Sequence, residues 1–241
     1  MKKIISYIAL TLFIGCSQVG QDNNTNIEGE NANKEVDNAN ILCSSFVPYS
    51  GIQICMPEID GMKECYSNEK VKQFADRTAG PGVSFLAYYL NNAINQNIEI
   101  LDTVSVLNDI FQVSVVDAMH DEKFGIDMLD EIQSLLVHGL SGELWENVKV
   151  KLKNSNFIGT VEKPINIENY SPKENVRTII TLDKSQLGSD VFICVKILNL
   201  VLIKEKIISI AYCNQYNSDE SIKNAKIKNE LFVNNFVISN R

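Results

Sequence analysis

Histidine is nearly missing from this chain. Its 241 residues hold only two, His120 and His138. A hydrolase of the Ser–His or Cys–His kind would have just those two bases to draw on. There is no CxxC pair, and the spacings between neighbouring cysteines fit no zinc-ligand template. No glycine-rich phosphate loop is present, and Gly80-Pro81-Gly82 reads as a turn. These absences lead us to expect no metal and no cofactor. Positive charge is also scarce: 22 Lys and Arg stand against 30 Asp and Glu, for a formal charge of −8. An acidic chain repels a nucleic-acid backbone, so no nucleic-acid partner is expected. Beyond the N-terminus no apolar run is long enough to cross a bilayer. The longest, over 191–203, is interrupted by Lys196 and Asn199.

What is present starts at the first residue. Lys2 and Lys3 precede an apolar run over 4–14 that is broken only by Ser6 and Thr11, and Gly15 and Cys16 close it. The run is too short to span a membrane and has the length and basic flank of a cleaved export signal. The junction Leu12-Phe13-Ile14-Gly15-Cys16 resembles the lipobox of bacterial lipoproteins, although Phe13 is bulkier than the aliphatic residue usual at that place. The resemblance implies cleavage before Cys16 and a diacylglycerol thioether on its sulfur, with a further acyl chain on the freed amine. Two or more chains anchor stably. It also implies a place in the bacterial cell envelope, with the membrane reached through the lipid at Cys16. Losing Lys2 and Lys3 with the leader takes the charge to about −10.

Residues 17–40, SQVGQDNNTNIEGENANKEVDNAN, are rich in Asn, Asp and Glu and almost free of apolar side chains. Such a stretch cannot bury enough surface to offset its ordering entropy. It reads as a tether, spanning roughly 25–30 Å as a coil. The expected organisation is therefore a signal over 1–15, a lipidated Cys and tether over 16–40, and one globular domain over 41–241. Five cysteines remain in that domain: Cys43, Cys55, Cys65, Cys194 and Cys213. An exported protein can form disulfides, but an odd number leaves at least one thiol over. The simplest reading makes them buried thiols that pack as small hydrophobes.

The domain alternates between strand and helix patterns. Ile52, Ile54 and Met56 share one face of a short strand that Pro57 ends. Asn68 can cap a helix from Glu69, with Val71, Phe74 and Ala75 as its stripe. Residues 83–90 and 110–116 read as strands. Phe124, Met128, Ile132, Leu135 and Leu136 fall at helical spacing, as do Leu144, Trp145, Val148 and Leu152. Strands follow over 158–167, 175–182, 191–203 and 207–215, antiparallel because no crossover separates them. A helix capped by Ser218 closes the chain and turns Ile222, Ala225, Phe232 and Phe236 toward the sheet. The expected fold is α+β, a mostly antiparallel sheet with packed helices and a C-terminal helix. With Lys204-Glu205-Lys206 as the loop of the last hairpin, Ile203 faces Ile207. Cys194 and Cys213 then fall three positions out of register on opposite faces, and no bond is expected between them.

That order resembles the layout of the PsbP-like α/β/α sandwich over roughly 46–238, chiefly through the strand pair 191–215, the closing helix and Asn235-Phe236-Val237-Ile238. The resemblance implies a binding or assembly module without catalysis. It is one of fold alone.

Candidate chemistry is thin. His120 lies among Asp117, Asp121 and Glu122, and His138 sits at a helix end. Gly139-Leu140-Ser141-Gly142-Glu143 misses the nucleophile-elbow spacing. The segment 165–178 reads as a strand end, a turn and a strand start. There Glu168, Asn169, Tyr170 and Arg177, with Tyr88, Tyr89, Asn91 and Asn92, are expected to line a recognition surface. The functional expectation is a non-catalytic, lipid-anchored envelope protein that binds a protein partner, an immunity lipoprotein being a special case. The alternative is an envelope hydrolase with an unrecognised site.

Overall fold

A computed structural model describes residues 43–79, 82–96, 108–139, 150, 160–187 and 190–241. Cys16, the tether and the helix expected over 144–152 lie outside these, apart from Val150. Ten strands and four α-helices are described: β1 Cys43–Tyr49, β2 Ile52–Pro57, β3 Met62–Glu64, α1 Glu69–Thr78, β4 Val83–Asn91, α2 Asn92–Gln96, β5 Ile110–Val116, α3 Ile126–Gly139, β6 Thr160–Val161, β7 Ile165–Lys173, β8 Val176–Leu187, β9 Asp190–Ile203, β10 Lys206–Gln215 and α4 Asp219–Ser239. β1 and β2 form a separate hairpin. The large sheet runs β3-β4-β5-β10-β9-β8-β6, with β7 also paired to β8. Every described pairing is antiparallel. The α+β class with its closing helix is thus as expected.

The sheet is covered on both faces. Arg177 of β8 points to α3, where its Nε donates to Asp130 Oδ1. Its neighbour Thr178 points the other way, toward α4. The α4 face carries the main core: Phe111, Val113, Val195, Ile197, Ile208, Ile210 and Tyr212 under Phe232, Val233 and Phe236, with Ile54 and Met56 of the hairpin alongside. Phe232 stacks on Phe111 with ring centroids 4.2 Å apart and receives the edge of Tyr89 at 5.0 Å. Burying a side chain of that size stabilises by about 2–3 kcal/mol before any ring-pair contribution. On the opposite face a smaller cluster joins Val71, Phe74 and Ala75 of α1 to Tyr88, Leu90, Ile110, Cys194 and Cys213. On that face Lys196 and Asp183 are also buried. Burial pushes the Asp183 carboxyl up, and the Lys196 charge and the Thr181 hydroxyl work against that shift.

Helix starts follow the local chemistry. Asn68 Oδ1 accepts from the backbone N–H of Lys70 and Val71 at 3.0 and 3.3 Å, capping α1 where the sequence places its start. At α4, Ser221 Oγ accepts from the N–H of Asn217 and Ser218.

Three expectations change. First, the β9–β10 loop has two residues, not three: Ile203 pairs with Lys206, and Lys204 and Glu205 both have positive φ, 45° and 65°. This is the mirror-image turn whose twist matches an antiparallel hairpin. Cys213 therefore pairs with Lys196 and Cys194 with Gln215. The two thiols lie two positions apart on the same face rather than three apart on opposite faces. They are unbonded, but the face argument for it was wrong. Second, β1 exists. Its run Ser44-Ser45-Phe46-Val47-Pro48 has a weak strand pattern, but Cys43 and Cys55 are joined in a disulfide across the hairpin, with Cα atoms 5.4 Å apart. Buried free thiols describe Cys65, Cys194 and Cys213 only. Third, Ile165–Lys173 is a whole strand, not a strand end and a turn. The turn is Glu174-Asn175, and two bulges interrupt the β7–β8 pairing.

Positive φ strains Lys204 and Glu205. Replacing them together, Lys204→Asn with Glu205→Gly, should stabilise the domain by about 1 kcal/mol in urea denaturation. The exposed Lys123–Glu205 pair that is lost contributes little. A loss of stability would show that this pair or the chain at 204–205 holds more than the turn.

Candidate binding surfaces

The residues expected to form one recognition surface are divided by the fold. Tyr88 and Tyr89 are 0% and 1% exposed and point to opposite faces of β4, so neither is an exposed recognition residue. Tyr88 OH accepts from Gln112 Nε2 at 3.2 Å, and Tyr89 OH donates to Pro57 O at 3.1 Å. Arg177 is buried against α3, and its Nη1 donates to the carbonyls of Glu174 and Val176. The hydrogen bond from Arg177 Nε and the guanidinium charge hold the Asp130 carboxyl below the usual range. Asn91 Nδ2 donates to Asn108 O, and Asn92 opens α2.

Glu168 and Tyr170 do come together, against α4. Glu168 pairs with Lys226 at 2.8 Å, and Tyr170 OH donates to Glu230 Oε1 at 2.9 Å. The Lys226 ammonium also lies 4.9 Å from the centre of the Tyr170 ring. Burial and the Glu230 charge hold the Tyr170 phenol well above its ordinary pKa. Lys173 Nζ donates to Asn234 Oδ1 further along. Asn169 is exposed on the strand. This seam fastens edge strand β7 to α4, and Glu168 and Tyr170 spend their polar groups on partners in that helix.

Two recesses flank the β1–β2 hairpin. One, of about 690 Å³, lies at its turn and is bordered by Tyr49, Gln53, Ser84, Asp117 and His120. Ser84 Oγ donates to Asp117 Oδ1 at 2.6 Å, and His120 Nδ1 lies 2.7 Å from Asp121 Oδ1. Tyr49 sets its ring edge-on to His120 at 5.3 Å, and burial with the Asp117 and Asp121 charges pushes its phenol up to about 12. The serine is thus held by a carboxylate and the imidazole by a different one. His138 Nδ1 meets Ser134 Oγ and Ser134 O within one turn of α3. Among the described residues no group of three His, Cys, Asp or Glu side chains could hold a metal ion.

The other recess is a groove of about 720 Å³ between β1 and the β3–β4 edge of the large sheet. Val47, Ile59, Met62, Leu86 and Tyr89 give it an apolar floor, and Glu58, Asp60 and Glu64 stand around it with Lys63. Glu64 Oε1 accepts from the N–H of Tyr66 at 2.7 Å and of Tyr88 at 3.3 Å. Sequence reading missed this groove because β1 was not expected. The available signal was the pair of acids in Pro57-Glu58-Ile59-Asp60-Gly61, directly after a strand.

No protein-family model matches the sequence, and no curated protein is similar to it. Among solved structures, the chain is similar to the Ran-binding protein Mog1p of Saccharomyces cerevisiae, with 11% identity over 83% of this chain and 94% of that one and a TM-score of 0.41. A likeness that slight carries no argument about function.

Removing the Cys43–Cys55 bond should cost about 2–3 kcal/mol, given the 12-residue separation it closes. The measurement is denaturation of the Cys43→Ser/Cys55→Ser variant. Alkylation of the denatured, unreduced protein should label Cys65, Cys194 and Cys213 and spare Cys43 and Cys55. Recovery of a peptide cross-linking Cys194 to Cys213 would contradict the free state of these two thiols.

Proposed function

We propose that this is a lipid-anchored protein of the bacterial cell envelope that works as a binding or assembly module. The observation that carries the reading is the leader that closes on Gly15-Cys16: a basic start, a short apolar run and a cysteine at the place of acylation. The Cys43–Cys55 disulfide supports it independently, because such bonds persist in exported proteins and are rare where thiols are kept reduced. The three remaining thiols are buried, which suits survival in an oxidising compartment. No described helix is long and apolar enough to cross a membrane, so in this reading attachment rests on the lipid.

A PsbP-like layout belongs to the same proposal, as does non-catalytic binding of a protein partner. An immunity lipoprotein, acidic and tethered near its target, is one form it can take. Of the surface residues first singled out, Glu168, Asn169 and Tyr170 stay exposed or half-buried along β7.

The test is intact mass of the protein extracted from bacterial membranes. It should lack residues 1–15 and carry acyl chains on Cys16, and Cys16→Ser should release it from the membrane fraction. A mature chain that keeps Met1, or a Cys16→Ser protein still membrane-bound, would overturn the reading.

A further inference from the structure

We propose that the groove between β1 and β3–β4 docks an extended, positively charged segment of a partner protein, with apolar side chains alternating along it. This rests on reading the protein as a binding module and names the chemistry of what it binds.

Three features of the groove converge on that occupant. Its floor is apolar: half-buried Val47 and Ile59 lie over the buried Met62, Leu86 and Tyr89. Its borders are strand edges, since among the described residues β1 pairs with β2 alone and β3 with β4 alone. An extended segment laid along such an edge gains main-chain hydrogen bonds, and its alternate side chains point down and up. Downward ones meet the floor, and upward ones meet the acids. Three carboxylates, Glu58, Asp60 and Glu64, face a single base, Lys63.

Several surface acids of this protein are paired with a cation. Asp76, Glu162, Glu168, Glu205 and Glu220 each have a lysine partner. Glu58 and Asp60 are exposed and have no cation partner among the described residues. A charge pair left half-made at the mouth of an apolar groove favours a cationic visitor and repels an acidic one. That excludes the protein's own leading segment. Residues 17–40 hold Asp22, Glu28, Glu30, Glu35 and Asp37 against Lys34 alone. A second copy, itself strongly acidic, is disfavoured on the same ground. Ser44 and Ser45, near the start of β1, border the groove.

The experiment uses residues 16–241 carrying Cys16→Ser, so that neither lipid nor detergent is present. The probe is a fluorescein-labelled octapeptide alternating lysine and valine. Its comparisons alternate glutamate with valine and lysine with serine. Fluorescence anisotropy should show saturable binding of the lysine–valine peptide only, weakened by salt. Glu58→Gln/Asp60→Asn should weaken it about fivefold, the effect of losing two partly exposed charge pairs. Glu162→Gln/Glu220→Gln changes the net charge equally at sites away from the groove and should leave binding unchanged. The proposal fails if there is no saturation up to about 1 mM, if both double variants weaken binding alike, or if the groove variant has no effect. Equal binding of the lysine–serine peptide, or full displacement by spermidine at matched charge, would also overturn it in favour of a polycation site without apolar recognition. None of these failures bears on the acylation of Cys16, which the mass measurement reads separately.

Discussion

The seating of α4 on the sheet is the constraint from which the rest of the structure follows. At its centre is a reciprocal amide pair inside the core. Asn199 Nδ2 donates to Asn229 Oδ1 at 2.7 Å, and Asn229 Nδ2 donates to Asn199 Oδ1 at 3.1 Å. Thr178 Oγ1 donates to the same Asn199 oxygen, and Asn199 Nδ2 also donates to Ile210 O. A buried polar group is costly unless its partners are present, and here they come from β8, β10 and α4 at once. A helix shifted by one turn would leave these amides unpaired, so the network sets the register of α4 as hydrophobic contact alone would not.

From that register, α4 reaches three parts of the fold. Lys228 pairs with Asp109 at 2.6 Å, and Asp109 also accepts from Tyr212 OH, which ties the helix to the start of β5 and to β10. Lys226 and Glu230 hold edge strand β7 through Glu168 and Tyr170. At the far end Asn240 accepts from Cys55 N at 2.7 Å and donates to Cys55 O at 2.8 Å, imitating a neighbouring strand. The hairpin that forms one wall of the groove is thus held by the disulfide from within and by the end of α4 from outside. The proposed binding site depends on a residue nearly two hundred positions away in sequence.

How legible this was depended on the range of the interaction. Asn68 and the stripe Val71, Phe74 and Ala75 are local, and α1 begins and packs as read. The stripe of α4 was legible too, except for Asn229, a polar residue on the core face whose partner lies in β9. Tyr88 and Tyr89 misled because varied polar side chains suggest recognition. The run Val83-Ser84-Phe85-Leu86-Ala87-Tyr88-Tyr89-Leu90 carries the opposite signal: a nearly continuous apolar strand is one covered on both faces. The β9–β10 register erred by one residue because Lys204 and Glu205 are not the residues that announce a positive-φ turn. β1 was hidden by its serines and proline, and with it the disulfide and the groove, which exist only once the hairpin folds onto the sheet. The asymmetry is physical: caps and stripes are written within a few residues, whereas cross-sheet networks and clefts need a partner from elsewhere in the chain.

Native-state hydrogen exchange on the Asn229→Ala protein tests this dependence most directly. Truncation leaves Asn199 without its partner and should cost about 2–3 kcal/mol. If α4 positions the hairpin and β7, the amides of β2 around Cys55 and those of β7 lose protection together with α4 and by a similar amount, while α1 and its contacts on the other face lose less. Loosening of α4 while β2 and β7 keep their wild-type protection would show that the hairpin and the edge strand stand on their own, and the account of a helix-built groove would be wrong.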